Sequence, residues 1–166
     1  MRAGIAFGSN LGDRLGHLWA ARAEVGSLEK SEPPILASPI YETEPIDCDA
    51  AAGKFLNAVI EIGYTGDATE LLQRLREIEK NLGRPSRHAR NASRTLDLDL
   101  LYFGDTVLST PELELPHPRM TTRRFVLDPL AEIRPELVLP SQKKTVAELL
   151  AALSDGSPLV RTSLQW

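Results

Sequence analysis

Apolar residues recur along the chain with two different spacings, which predict strands and helices in turn. Between residues 55 and 64 they alternate, so that Leu56 and Ile60 share one face of a strand while Phe55 and Asn57 share the other. Shorter runs predict further strands at 4–7, 35–41 and 96–103. Helical spacing of apolar residues predicts helices at 11–25 and 71–82, one toward Ile133, and a last one at 146–153.

Polar residues that can accept hydrogen bonds from free backbone N–H groups predict where the helices begin. The predicted caps are Ser9 or Asn10, Asp67 or Thr69, Thr121, and Thr145 with Glu148 at capping-box spacing. Gly83 predicts the end of the second helix. Pro33-Pro34 predicts a break before the strand at 35–41, and Pro39 within that strand indicates a sheet edge.

The predicted elements follow one another as strand, helix, strand, strand, helix and strand, with additions after them. This order is typical of a ferredoxin-like α/β sandwich of the α+β class, in which helices pack against a mainly antiparallel sheet. A chain of 166 residues fits one domain, and we expect residues 1–166 to form it.

Composition narrows the functional classes. The net charge of −4 argues against a dedicated nucleic-acid binder, because no basic excess is present to neutralise a phosphate backbone. Cys48 is the one cysteine, so no internal disulfide can form. The N-terminal apolar stretch is too short for a signal peptide, and no apolar run is long enough to span a membrane. We therefore expect a cytoplasmic protein with no membrane partner.

Asp97 and Asp99 are the strongest candidates for a functional site in the sequence. Side chains two residues apart on a strand share a face, so both carboxylates project together with Cα atoms roughly 6.5 Å apart. Their repulsion is about 2 kcal/mol at an effective dielectric of about 20, and a bound cation would offset it. Oxygen ligands without a nearby His or Cys suit Mg²⁺. By itself, the motif is more often a pair of solvated aspartates on an exposed sheet face.

The segment from Arg84 to Arg94 makes a metal site at Asp97 and Asp99 the favoured interpretation. It carries four arginines and no acidic residue, and it has neither strand nor helix spacing. A long irregular segment is usually functional or disordered, and alone this one is more often a solvated run of charge. A cationic loop that leads into a carboxylate pair suits a metal-bound polyphosphate. No P-loop sequence is present to bind phosphate in its place.

Three further features have a structural and a functional interpretation. Phe55 beside Asn57 could hold a flat heterocycle by stacking and hydrogen bonding, or could be a packing ring and a capping amide. His117, between two prolines, could contact a phosphate or only its own loop. The turn at 8–13 opens a helix N-terminus, where an anion can bind, although a simple glycine-assisted turn is more common.

Taken together, these residues make the sequence resemble the 6-hydroxymethyl-7,8-dihydropterin pyrophosphokinase family. The run Arg94-Thr95-Leu96-Asp97-Leu98-Asp99 followed by Pro116-His117-Pro118-Arg119-Met120 is highly specific. The other matching stretches are Gly8-Ser9-Asn10-Leu11-Gly12, Tyr41-Glu42-Thr43-Glu44-Pro45, Phe55-Leu56-Asn57-Ala58, Gly83-Arg84, and the later Arg123 and Phe125. They occur in the family's order and cover roughly residues 4 to 140.

The resemblance implies an enzyme of folate biosynthesis that transfers pyrophosphate from ATP to 6-hydroxymethyl-7,8-dihydropterin and releases AMP. Asp97 and Asp99 match the pair that holds two Mg²⁺ ions, and Arg84 and Arg94 match loop arginines that engage phosphates. The implied nucleotide side further includes Glu79, Leu100, His117 and Arg123. The implied pterin pocket consists of Thr43, Glu44, Ile46, Phe55, Asn57 and Phe125. For such an enzyme we expect a monomer or a weak dimer.

One departure from the family pattern lies in the arginine-rich loop. Where many members have Trp-Gly-Pro-Arg, this chain has Asn91-Ala92-Ser93-Arg94. An aromatic ring stacked on a base is worth roughly 1–3 kcal/mol elsewhere, so the missing indole predicts weaker closure over the ligands.

Two other classes of function compete with this interpretation. A different Mg-dependent phosphotransferase or sugar-nucleotide enzyme could also use Asp97 and Asp99, although the short chain shows no Rossmann-like series. A ferredoxin-like ligand sensor or RNA-binding module would need no metal. RNA binding would favour exposed aromatics on a basic sheet face, whereas aromatics make up only 5% of this chain.

Overall fold

The computed structural model describes residues 1–45, 53–83, 95–154 and 156–166. The strands are β1 (Arg2–Ser9), β2 (Ser31–Ala37), β3 (Tyr41–Thr43), β4 (Phe55–Tyr64), β5 (Asp97–Phe103), β6 (Leu108–Ser109), β7 (Glu114–Leu115) and β8 (Leu159–Arg161). The helices are α1 (Arg14–Gly26), α2 (Ala68–Asn81), α3 (Arg124–Ile133) and α4 (Val146–Ala152), and Met120–Thr122 forms a 3₁₀ turn.

One six-stranded antiparallel sheet organises these elements. Its strands lie in the order β5-β1-β4-β3-β8, and β2 pairs with the part of β4 that β3 does not cover. Numbered along the chain, the four predicted strands therefore lie side by side in the order fourth, first, third and second, which is the strand order of a ferredoxin-like sheet. The predicted α+β class and mainly antiparallel sheet are confirmed, and β8 extends the sheet beyond that plan.

The two faces of the sheet carry separate apolar clusters. Helices α1 and α2 cover one face, where Leu98 and Leu100 of β5 pack with Leu71 and Leu75 of α2. Helices α3 and α4 cover part of the opposite face, against Val59 and Leu101 among others. The end of the second face near the start of β5 and β4 lies beyond this second cluster, and it carries the polar residues of interest.

The first proline pair does not break the chain as predicted. Pro33 and Pro34 lie within β2, and the pairing of β2 with β4 is interrupted between Glu32 and Leu36. Such an interruption accommodates residues that cannot donate a ladder hydrogen bond. Pro39 instead separates β2 from β3, so the single strand predicted at 35–41 is two strands.

Two predicted helix caps are wrong. Helix α1 is capped by Asp13, whose Oδ1 accepts a hydrogen bond from the backbone N–H of Gly16 at 3.0 Å. Ser9 and Asn10 are buried at the end of β1, where Ser9 Oγ donates to the backbone oxygen of Thr95 at 2.5 Å. Thr121 lies in the 3₁₀ turn, and α3 begins after Arg123 without a side-chain cap.

The other predicted boundaries are confirmed. Asp67 caps α2 through a 2.8 Å bond from the backbone N–H of Glu70, and Gly83 follows that helix with a positive φ of 97°. Thr145 and Glu148 form the capping box of α4. Within the described ranges, none of the helices is both long enough and apolar enough to cross a bilayer.

Candidate active site

The carboxylate pair lies on β5, at the edge of the sheet. Asp97 pairs with Gly8 of β1 and Asp99 pairs with Ala6, and both aspartates are half-buried. The intervening Leu98 is buried on the opposite face, under the first two helices. The alternation read from the sequence therefore holds, and the two carboxylates share the face that the apolar clusters leave open.

Gly8 connects this carboxylate pair to the candidate heterocycle pocket. It pairs with Asp97 on one side and with Asn57 of β4 on the other. A β-carbon built on Gly8 would lie 3.6 Å from Oδ1 of Asn57, 3.8 Å from Cβ of Asp97 and 3.9 Å from Cδ1 of Phe55. Because Gly8 has no side chain, its backbone is open between these three groups, and a flat ring can lie against it. This open backbone is called the Gly8 floor.

Asn57 is held in one orientation. Its Nδ2 donates a 2.8 Å hydrogen bond to Oγ1 of Thr43 on the neighbouring strand, and both side chains are buried. Its Oδ1 faces the space above Gly8. The amide therefore presents an acceptor, with a second N–H next to it, to any ligand in that space.

Arg123 stands over the open face from the start of α3. Its Nη1 lies 3.9 Å from Oδ2 of Asp99, and its Cζ lies 5.3 Å from the centre of the Phe125 ring. The contact with Asp99 is too long for a strong hydrogen bond, so it is mainly an electrostatic attraction. The guanidinium and the Phe125 ring thus form one wall beside the carboxylate pair.

His117 is fixed by one contact with β5 and one within its own loop. Its backbone N–H donates to the carbonyl oxygen of Leu101 at 2.7 Å, and its Nδ1 accepts from the backbone N–H of Arg119 at 3.2 Å. Burial lowers the pKa of His117 below its ordinary value; Asp99 opposes this shift, whereas Arg123 and Arg119 add to it. A neutral imidazole that accepts at Nδ1 carries its proton on Nε2, so it can donate to an anion.

Glu79 lies behind β5 and not on its open face. Its side chain is only 4% exposed, and Oε1 accepts a 2.9 Å hydrogen bond from the backbone N–H of Leu98. This bond fastens α2 to the outer edge of the strand that carries both aspartates. The Leu100 side chain is buried in the core, so it can offer a ligand only its backbone groups, which point to the same outer edge as those of Leu98.

The donor set fits a hard divalent cation. The side chains of Asp97 and Asp99 offer oxygen ligands. The described part of the chain contains no group of three or more His, Cys, Asp or Glu residues placed to hold a metal. Two carboxylates leave most of an octahedral shell to water and phosphate oxygens, which suits Mg²⁺ better than a metal that needs an all-protein cage.

Several predicted site residues cannot be placed. Arg84, Arg94 and Ile46 lie outside the described residues, as does the Asn91 loop segment. Glu44 is exposed beyond the end of β3, where it pairs with Lys54 Nζ at 2.8 Å.

The sequence alone did not identify two parts of the site, Gly8 and residues 157–159. The local sequence indicates only a turn and a family motif at Gly8, since its place between Asp97 and Asn57 depends on two strand pairings. A cavity of about 50 Å³ next to Thr43 and Phe125 is lined partly by residues 157–159 near the end of the chain. No local pattern signals that contribution, because it arises from the pairing of β8 with β3.

The fold and this face together define a ferredoxin-like protein with a candidate phosphotransferase site. The profile of the family described as 7,8-dihydro-6-hydroxymethylpterin-pyrophosphokinase matches residues 4–135. The chain belongs to this family.

Named relatives agree with the family match. A 2-amino-4-hydroxy-6-hydroxymethyldihydropteridine pyrophosphokinase of Bacillus subtilis is 44% identical over 131 residues, which cover 78% of this chain and 75% of that one. The protein of the same name from Pseudomonas aeruginosa is 38% identical over 151 residues, or 91% of each chain.

Solved structures support the fold. The Plasmodium falciparum HPPK-DHPS wild type with pteroate has a TM-score of 0.68 at 16% identity over 90% of this chain. This chain covers only 42% of that longer protein, so the likeness extends to one part of it.

Proposed function

We propose that the protein transfers a pyrophosphoryl group from ATP to 6-hydroxymethyl-7,8-dihydropterin, giving the pterin diphosphate and AMP, as a step of folate synthesis. The observation that carries this proposal is the position of Gly8. It places the carboxylate pair and the Asn57–Phe55 pocket on the same open floor, within reach of one small substrate. Family membership favours this activity over the ligand-sensing, RNA-binding and sugar-nucleotide alternatives.

The pterin is expected to lie on the Gly8 floor. The Asn57 amide, oriented by Thr43, pairs with the polar edge of the ring, and Phe55 and Phe125 contact its faces. Glu44 and Ile46 are assigned to the same pocket, as the family resemblance implies. The ring's hydroxymethyl group then points along the floor toward Asp97.

The nucleotide is expected to occupy the other end of the same face. Asp97 and Asp99 would hold two Mg²⁺ ions, which would neutralise phosphate charge and make the pterin hydroxyl more acidic. Arg123, which lies 3.9 Å from Asp99, and the Nε2–H of His117 would donate to phosphate oxygens. Arg84 and Arg94 are assigned to the same phosphates. Leu100 contributes backbone groups at the strand edge, and Glu79 holds that edge in place.

The reaction is a displacement at phosphorus. The hydroxymethyl oxygen loses its proton to solvent and forms a bond to the β-phosphorus of ATP. The bond from that phosphorus to the oxygen that bridges the α- and β-phosphates breaks, so that AMP leaves with that oxygen. Because such transition states involve little covalent chemistry by the protein, positioning and electrostatics supply most of the acceleration. Asn57 and the Gly8 floor orient the nucleophile, while Arg123 and His117 balance charge on the transferred group.

We further propose that residues 1–166 act as one domain, as a monomer or weak dimer in the cytoplasm. The sheet supports the first point, since β8 pairs with β3 and α4 packs with α3 on the same sheet face.

The direct test is to incubate the protein with Mg-ATP and 6-hydroxymethyl-7,8-dihydropterin and to identify the nucleotide product. AMP formed in proportion to pterin diphosphate is the expected result. ADP as the sole product would mean ordinary phosphoryl transfer, and no pterin-dependent product would contradict the proposal.

Asp97→Ala tests the metal-binding role in the same assay. We expect turnover to fall by at least about a thousandfold with the fold intact, because phosphate charge is no longer compensated. Asp105→Ala is the matched control, since Asp105 is exposed in the turn after β5. Near-normal turnover in the Asp97 variant would refute the assignment, whereas equal losses in both variants would point to a general defect.

A further inference from the structure

The end of the chain forms a strand beside the proposed pterin pocket. β8 pairs antiparallel with β3, and Leu159 lies directly opposite Thr43. Directly opposed residues of paired strands project from the same face of a sheet. Leu159 therefore stands on the face of the site, whereas the next residue, Val160, points to the opposite face and is 60% exposed.

A small cavity separates this strand from the pocket residues. It measures about 50 Å³ and is lined by Thr43, Glu44, Arg124 and Phe125 on one side and by Ser157–Leu159 on the other. That volume holds a few water molecules or a small alkyl group. Thr43 also accepts the hydrogen bond that orients Asn57, so the cavity directly adjoins the predicted ring-binding floor.

Independent contacts hold β8 in place. Arg161 donates to Oε1 of Glu132 on α3 at 3.1 Å, and the same oxygen accepts from the Tyr41 hydroxyl at 2.9 Å. The Thr162 backbone N–H and hydroxyl both donate to the carbonyl oxygen of Ile40, at 2.9 and 3.0 Å. The position of Leu159 is thus set by its pairing with Thr43 and by the contacts of two residues that follow it on and after β8.

We propose that Leu159, with Pro158 beside it, is the outer wall of the pterin pocket and limits the size of ring substituent that the enzyme accepts. This inference rests on the proposed function. It adds a specificity-determining role for a segment that lies outside residues 4–135, over which the family profile matches. The favoured substrates are reduced pterins whose edge toward Thr43 carries no more than a small alkyl group.

Leu159→Ala should enlarge the pocket without touching the nucleotide side. The expected result is a KM for hydroxymethyl-dihydropterin raised by about tenfold, with kcat and the KM for ATP within twofold of wild type, since losing apolar contact weakens ground-state binding. Ring-alkylated analogues should gain kcat/KM relative to the natural substrate by about the same factor. Val160→Ala, one residue away and facing outward, should change none of these values.

Leu159→Phe provides a second measurement that does not depend on creating a cavity. Filling the 50 Å³ space should weaken pterin binding while leaving Mg-ATP binding, measured by calorimetry, unchanged. The wall assignment is overturned if both Leu159 variants keep wild-type pterin KM and analogue preference. It is also overturned if ATP and pterin affinities fall together.

The wild-type assay separates the two proposals. If wild-type protein forms no AMP from ATP and the pterin, the proposed function fails and the wall assignment fails with it. If wild-type protein forms AMP and Leu159→Ala behaves like Val160→Ala, only the wall assignment fails.

Discussion

Single residues decide which chemistry each sheet face can perform. On β5 the alternation of Asp97, Leu98 and Asp99 places carboxylates on one face and an apolar anchor on the other. On β1 the important residue is the second of its two glycines, because Gly8 lies between Asp97 and Asn57. Its backbone conformation is not the reason for glycine here, because within the described residues positive φ occurs among the glycines at Gly12, Gly83 and Gly104 and not at Gly8.

Gly8→Ala tests whether the bare floor is needed. The added methyl group would sit at ordinary contact distances of 3.6–3.9 Å from its neighbours, so we expect the fold to persist. It would also occupy the space proposed for the pterin ring, and we expect the pterin KM to rise by about tenfold or more, with little change for ATP. Steady-state kinetics with each substrate varied in turn provides the measurement.

Gly156→Ala is the matched control, because a β-carbon there would meet no atom within 4 Å. An unchanged pterin KM in the Gly8 variant would show that the open backbone at Gly8 is not part of the pterin site.

At the scale of elements, the site depends on how β5 is fastened. β5 is an edge strand that pairs only with β1 in the six-stranded sheet, so its outer backbone groups need other partners. Glu79 supplies one from α2 by accepting from the Leu98 N–H. A helix, through one buried carboxylate, thereby fixes the strand that carries the candidate metal ligands.

Glu79→Ala should destabilise the protein. Removing the acceptor leaves the buried Leu98 N–H without that partner, at a cost of about 1–3 kcal/mol in the free energy of unfolding. Glu79→Gln keeps an acceptor oxygen and should recover part of the loss. Urea unfolding followed by circular dichroism measures the difference.

Glu77→Ala on the same helix is the control for the Glu79 variants. Glu77 pairs with Arg74 on the exposed surface, where such pairs contribute about 0–1 kcal/mol. If the Glu77 and Glu79 variants lose the same stability, the anchoring role of Glu79 is wrong.

At the scale of the whole molecule, burial of the tyrosines within the folded protein changes their pKa values. The chain has three, and burial is the main cause that raises the pKa of each. Burial and a hydrogen bond to Glu132 raise the pKa of Tyr41 to about 12. Tyr102 donates a 2.6 Å bond to Glu61, a fully buried carboxylate that Arg2 and Arg134 also bind.

These shifts predict a loss of stability in alkali. Above the ordinary tyrosine pKa of 10.0, the unfolded chain releases phenolic protons that the folded protein keeps. The folded state then binds more protons, so the free energy of unfolding falls as pH rises, by at most about 1.4 kcal/mol per pH unit for each such tyrosine.

Two measurements check this alkaline prediction. Tyrosinate absorbance should appear at higher pH in the folded protein than in the chain unfolded by guanidinium. Urea midpoints should decline between pH 10 and about 12, the range between the ordinary pKa and the raised pKa of Tyr41. Coincident titration curves for folded and unfolded protein would contradict the prediction.

Much of this architecture could be read from local patterns. The β4 strand, the face shared by Asp97 and Asp99, the Asp67 cap and the Thr145 capping box each depend on residues within a few positions of one another. The errors have the same origin. Ser9 and Asn10 resemble helix caps, but each bonds to a distant segment, Ser9 to Thr95 and Asn10 to Gly53. The first helix begins later, at Arg14, and Asp13 is its cap.

The sequence by itself determined the order of the main strands and helices, the carboxylate pair and the family motifs, because periodicity and short motifs are properties of neighbouring residues. Only the tertiary structure decided that Gly8 lies between Asp97 and Asn57, that Glu79 anchors β5, and that Leu159 faces Thr43. Each of these contacts joins residues that are 19 or more positions apart. The register between strands sets them, and that register is fixed when the whole sheet buries its apolar faces.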